Sequence, residues 1–212
     1  MTKDEIIAEV RLCIDDATWN KSGLSMPSDD AITDEIITSK IKYALVWLAL
    51  NAPIDLMYDE SSIFLSDAYS DFKPGDKGVL TLPAGFVRLV RVRMPDWSKA
   101  VTTPITEDSD QYLMQDDPIS KGTADRPVAA IVGTQPRKLE LFPGIGDGVE
   151  ITSVIVPDFD SKGDGVDIPP RLRPSFVYYI AFLTLAAFRD NDAATMLQIA
   201  RINIGMEPVQ NE

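Results

Sequence analysis

The chain has 212 residues, 45% of them apolar and 25% charged, with a formal net charge of −13 and no histidine. That balance predicts a folded protein with one good-sized core, and it argues against disorder and against tight binding of nucleic-acid backbones, which needs clustered Lys and Arg to displace condensed counterions. Without histidine, Ser–His and Cys–His nucleophile arrangements drop out, together with the commonest metal ligand and proton shuttle.

The first residues, Met1 to Ile6, show neither a basic start leading into an apolar run nor a cleavage site, so they are not a secretory signal and the chain is expected in the cytoplasm. Thr2 followed three residues later by Glu5 is a capping-box pattern that opens a first helix, with Ile6, Ile7, Val10, Cys13, Ile14 and Ala17 at helical spacing. Cys13 is the single cysteine, which leaves no disulfide framework and no thiolate metal cage. From Trp19 to Asp30 the residues that break regular structure accumulate, and a long loop is expected there. A second helix is expected from Thr33 as cap, with Asp34 and Glu35 in its first turn, to about Asn51. Its stretch Tyr43 to Leu50 is apolar all round, which predicts a central buried helix too short to span a bilayer.

From Ile63 the pattern changes to short β-like runs punctuated by Gly and Pro, over 79–82, 86–94, 128–133, 138–142 and 149–156. In the second run Phe86, Val90, Val92 and Met94 are expected on one face and Leu89, Arg91 and Arg93 on the other, with Arg88 breaking the alternation. Pro143 to Gly148 reads as a turn that pairs the last two runs as a hairpin, giving an antiparallel middle. A polar Gly/Asp linker from Asp158 to Asp167 leads to Pro169-Pro170 and a third helix from Ser175 to Arg189, with Phe176, Tyr179, Ile180, Leu183 and Ala187 on its apolar face. A fourth helix runs from about Ala193 to Ile204 and is closed by Gly205 with Pro208 beyond.

The expected fold is therefore α+β: a four-helix-type bundle built from the N- and C-terminal helices, with an inserted antiparallel β-sheet domain. The expected division is 1–58 for the first helices, 59–167 for the β insertion and 168–212 for the closing helices, all in one structural unit.

Candidate chemistry is thin. Gly144 to Gly148 joins strand to strand instead of opening a helix, so it reads as a turn and not as a phosphate cradle. The run Asp158 to Asp167 imitates a calcium loop, but Lys162 occupies the third ligand position and Pro169 stands where a bidentate Glu belongs, so a solvated linker is the better reading. Adjacent carboxylates such as Asp15-Asp16, Asp29-Asp30 and Asp116-Asp117 point apart and suit no general acid and base. Trp47, Tyr178 and Tyr179 read as core. Arg88, Arg91 and Arg93 form the one concentration of positive charge on a strand, either a solvated face or a partner contact. No catalytic, cofactor or metal residue is expected, and the chain reads as non-enzymatic.

Several stretches together resemble a known family. They are two N-terminal helices ending in Ala52-Pro53, the Leu-Pro-x-x-Phe-x-Arg-Leu strand Leu82 to Leu89, the Lys121-Gly122 to Pro127 segment, the strand end Leu139 to Pro143, and Ile168-Pro169 leading into a helix with Tyr178-Tyr179. Over nearly its whole length the chain resembles the head-to-tail adaptor proteins of tailed bacteriophages, the connector ring proteins akin to tail tubular protein A. The resemblance implies a structural virion protein at the head–tail junction, made in the host bacterial cytoplasm. It also implies an oligomeric ring of about a dozen copies that joins the portal protein to the tail or further ring proteins and lets DNA pass without specific binding, with no membrane and no cofactor. On that reading Arg88, Arg91 and Arg93 are candidates for the subunit interface, and Met206, Glu207, Pro208 and Val209, beyond the last helix, for the portal contact. A net negative lining suits a channel through which phosphate must slide. The alternative is a monomeric ligand- or peptide-binding module on a helical scaffold.

Overall fold

The computed structural model describes residues 1–22, 30–58, 63–146, 148–159 and 165–207. The class is α+β, with six helices and two sheets among the described residues. The chain divides into two compact units, Met1–Ile63 together with Pro157–Glu212, and Phe64–Val156.

The first unit is helical. Helix α1 (Lys3–Ser22) opens on the capping box: the Glu5 amide donates to Thr2 Oγ1 at 3.2 Å and the Thr2 amide donates to Glu5 Oε2 at 2.9 Å. Ile6, Val10 and Ile14 are buried four residues apart, so one narrow stripe faces the core. The helix runs through Trp19 to Ser22, where a loop was expected, and residues 23–29 of that expected loop lie outside the described residues. Helix α2 (Asp30–Asn51) begins three residues before Thr33, which is therefore an interior residue and not the cap. It is not buried all round: Ile37, Ile41, Ala44, Leu45, Leu48 and Ala49 are buried, whereas Tyr43 is 64% and Leu50 56% exposed. Pro53 stops it, and a short α3 (Ile54–Met57) follows.

The central position belongs to α5 (Arg173–Ala187), which packs against α1, α2 and α6 (Ala193–Asn203). Its buried face is Phe176, Val177, Ile180, Ala181, Thr184 and Leu185; Tyr179 and Leu183 are half-buried and Ala187 is exposed, so the face is rotated from the expected one. The reason lies in its small polar residues. Ser175 Oγ donates to Ala200 O on α6 at 2.6 Å and Thr184 Oγ1 donates to Ile180 O at 2.9 Å, so both hydroxyls are satisfied inside and can share the core.

The second unit holds two sheets that share one core. Strands β1 (Leu65–Ser66), β8 (Glu150–Ile155) and β4 (Phe86–Arg93) form one, in the order β1-β8-β4, all antiparallel. The other has the order β2-β3-β7-β6-β5, from β2 (Ser70–Lys73), β3 (Gly78–Thr81), β7 (Lys138–Phe142), β6 (Val128–Val132) and β5 (Ile105–Thr106). Its β5–β6 pair is parallel, so the middle of the chain is not one antiparallel sheet. Leu80, Leu89, Val92, Leu139 and Ile151 are among the side chains both sheets contribute to the core, and Trp97, beyond β4, joins them.

The expected hairpin is absent. β7 pairs with β3 and β6, and β8 with β4 and β1, so Pro143 to Gly148 carries the chain from one sheet to the other. β7 is buried at four of its five positions, as a central strand is, and both its edges are already occupied. On β4 the expected alternation also fails. Register shifts between Phe86 and Arg88 and between Leu89 and Arg91 are two bulges against β8, and they turn Leu89 into the core alongside Phe86 and Val92.

Candidate functional site

The bulge between Leu89 and Arg91 on β4 separates Arg88, which lies between the two bulges, from Arg91 and Arg93. Arg88 is half-buried, and burial lowers its pKa from the ordinary value. Arg91 and Arg93 are exposed, and Arg91 Nη2 lies 3.7 Å from Glu150 Oε2 on the neighbouring β8. Two guanidinium groups thus stand in solvent at the end of the strand, and the third is folded partly inward.

The C-terminal candidates sit at the end of α6. Gly205 takes φ 76°, its amide donates to Ile202 O at 2.9 Å, and the Met206 amide donates to Arg201 O at 2.9 Å. That is a Schellman closure, which needs a left-handed residue at Gly205. It turns Met206, half-buried, and Glu207, exposed, back toward Arg201, whose guanidinium reaches Glu207 O at 3.3 and 3.4 Å. Pro208 and Val209 lie outside the described residues, as do residues 160–164 of the calcium-like run.

Sequence reasoning missed the best-built polar site, on the five-stranded sheet. Glu140 stands in the middle of apolar β7 and is 7% exposed. Its Oε2 receives Lys77 Nζ at 2.6 Å and the Tyr112 hydroxyl at 2.7 Å, and Lys77 Nζ also donates to Tyr112 Oη at 3.2 Å. The ammonium lies 5.6 Å from the Tyr112 ring centroid and 5.9 Å from that of Phe142. Burial alone would lower the Lys77 pKa, but the bonds to Glu140 and Tyr112 outweigh it and hold the value above the ordinary 10.5. Burial, joined by the bond to Glu140, likewise raises Tyr112 above 10.0. Each group keeps its proton, so the cluster acts as a clamp. The one signal in the sequence was a carboxylate inside the apolar run Lys138 to Phe142.

The clamp fastens a segment that is polar in sequence but ordered in space. Ser109 Oγ caps α4 (Asp110–Leu113) by accepting from the Tyr112 amide at 3.3 Å, and a 3-10 turn, Met114–Asp116, follows. The buried Gln115 then ties both sides of the loop, donating to Gln111 O at 2.8 Å and accepting from the Gly122 amide at 2.9 Å. Asp117 accepts from the Ile119 amide at 3.1 Å and the Ser120 hydroxyl at 2.9 Å, and these bonds lower its pKa in that order. Two open hollows flank the loop, one of about 580 Å³ between Gln111 and Val128 and one of about 420 Å³ beside Lys77, Pro118 and Ile145.

In the helical unit, Trp47 stacks on Tyr179 with ring centroids 4.2 Å apart, and both rings are half-buried rather than core. Among the described residues no group of three or more Cys, Asp or Glu converges as metal ligands, and no helix is long and apolar enough to cross a membrane. No family model matches the chain, and no curated protein matches it significantly.

Proposed function

We propose that this chain is a non-enzymatic structural virion protein, the subunit of a ring that joins the portal of a phage capsid to the tail and lets DNA pass. The observation that carries the reading is the layout: helices from both ends of the chain make one unit, and a two-sheet insertion makes the other. The stretches that resemble the connector ring proteins fall at joints of that layout. Ala52-Pro53 ends α2, Leu82 to Leu89 carries the chain from the five-stranded to the three-stranded sheet, Leu139 to Pro143 is β7 and its exit, and Ile168-Pro169 leads toward α5.

On this reading Arg91 and Arg93 are the strand cations available to meet a neighbour's carboxylates, and the residues after Gly205 are the portal contact. A charge of −13 keeps phosphate from sticking to the lining. Native mass spectrometry of the purified chain over a range of concentrations tests the proposal. The expected result is a closed ring of about a dozen copies. A strict monomer, alone and with its portal, would overturn the ring and leave the monomeric binding module.

A further inference from the structure

Ile119 is 93% exposed, the most exposed large apolar side chain among the described residues. Single exposed apolar residues are ordinary, but this one has company: Met114, itself 51% exposed, borders the same hollow. It is also held out on a stiff support. The Asp117 side chain fixes the turn from within, the Ser120 and Lys121 amides donate to Asp117 O at 3.2 and 2.9 Å, and Gln115 ties the base. A preorganised apolar tip loses little entropy on docking.

A hollow of about 440 Å³ lies on the same unit, walled by Pro83, Phe86, Pro136 and Arg137. Its one charged side chain is Arg137, whose guanidinium lies 5.9 Å from the Phe86 ring centroid, and no carboxylate among the described residues forms an ion pair with it. Tip and hollow match in charge: Asp116 and Asp117 before Ile119 outweigh Lys121 after it, which leaves the turn net negative, while Arg137 lines the hollow. They also sit at opposite ends of one sheet. The tip's loop packs at the Phe142 end of β7, through the Tyr112–Phe142 ring contact and the close approach of Gly122 to Phe142 O. The hollow adjoins the other end, where Thr81 pairs with Lys138 and the Leu82 amide donates to Arg137 O. The two are roughly 13 Å apart along the strand at about 3.3 Å per residue. Within one chain they cannot meet.

We propose that the Asp117–Lys121 turn of one copy seats Ile119 in the Pro83–Arg137 hollow of the next, a head-to-tail contact between copies of this chain. A knob and a socket at opposite ends of one sheet make a heterologous interface, the kind that generates a ring when its rotation closes. The contact rests on the ring reading and names the surface that builds it; the acidic edge of the knob against Arg137 sets its direction.

Two measurements test it. In a Cys13→Ser background, Ile119→Cys and Thr134→Cys are placed in one chain and oxidised; the expected result is a ladder of covalent multimers, against dimers at most from either cysteine alone. Ile119→Asp and Arg137→Glu, both at exposed positions, are then weighed by native mass spectrometry, with circular dichroism to check the fold. Each should raise the concentration needed for the ring by at least about tenfold. An equal mixture of the two should give dimers, since one chain keeps a good socket and the other a good knob. Rings of wild-type mass from both variants, with no ladder, would overturn the contact and leave the ring standing on other surfaces. A wild-type chain that is monomeric at every concentration, alone and with its portal, would overturn both.

Discussion

Glu140 shows how much one side chain can organise. A carboxylate inside an apolar strand is costly unless its oxygens are satisfied, and here Lys77 and Tyr112 both reach the same oxygen from outside the strand. Because the Lys77 side chain is 44% exposed, the pair is screened and its net worth is small compared with a fully buried one. Glu140→Gln keeps the shape and loses the charge, and is expected to cost about 1–2 kcal/mol in urea unfolding. The pH dependence has a definite sign. Lys77 and Tyr112 both have folded pKa values above their ordinary 10.5 and 10.0, so their stabilising share is complete below those values and is lost as pH rises through the folded ones. Melting temperature should fall above about pH 10, and the fall should shrink in Lys77→Met and Tyr112→Phe. An unchanged alkaline profile in both variants would remove the clamp from the account.

At the scale of elements, the crossing between the two sheets depends on a close backbone approach. A side chain at Gly144 would collide with the backbone of Gly78, while the Gly75 amide donates to Gly144 O at 2.9 Å, so β3's start and β7's exit touch backbone to backbone. Gly144→Ala is expected to lower stability by about 2 kcal/mol or more, read as a drop in thermal midpoint; a wild-type midpoint would mean the crossing yields without cost. This crossing is also where sequence reading went wrong. The Gly-rich run after Pro143 has the local chemistry of a turn, and nothing local says that both edges of β7 are taken by β3 and β6. β3, β4, β6, β7 and β8 were legible to within a residue or two because Gly and Pro bracket each apolar run, whereas the short β1, β2 and β5 carry no such run and were missed. The faces of β4 were not, since two bulges shift its register and strict alternation has no place for them. Helix α2 misled for another reason: Tyr43 and Leu50 are apolar but lie on its outer side, and composition alone does not tell a buried side from an apolar exposed one. The loop around Ile119 escaped because its order comes from side-chain-to-backbone bonds of Ser109, Gln115 and Asp117, which leave no periodic trace.

At the scale of the whole molecule, the proposed ring assigns different work to different surfaces, and the tail of the chain separates them. Removing residues 206–212 takes away the Met206-to-Arg201 bond that closes α6, and neither Met206 nor Glu207 belongs to the buried core. The expected outcome is an unchanged number of copies in the ring with lost binding to the portal, measured by co-sedimentation; retained binding would move the portal contact elsewhere. The insertion's own attachment has a mechanical consequence. Its entry and its exit are hydrogen-bonded neighbours, Leu65 opposite Val154 and Ser66 opposite Ser153, with the Ile155 amide donating to Phe64 O at 2.9 Å. A pull that separates those two chain crossings therefore peels β1 from β8 one bonded pair at a time, as a zip opens, and loads no two pairs together in shear. Under tension the seam yields at its first bond and spares the shared core behind it.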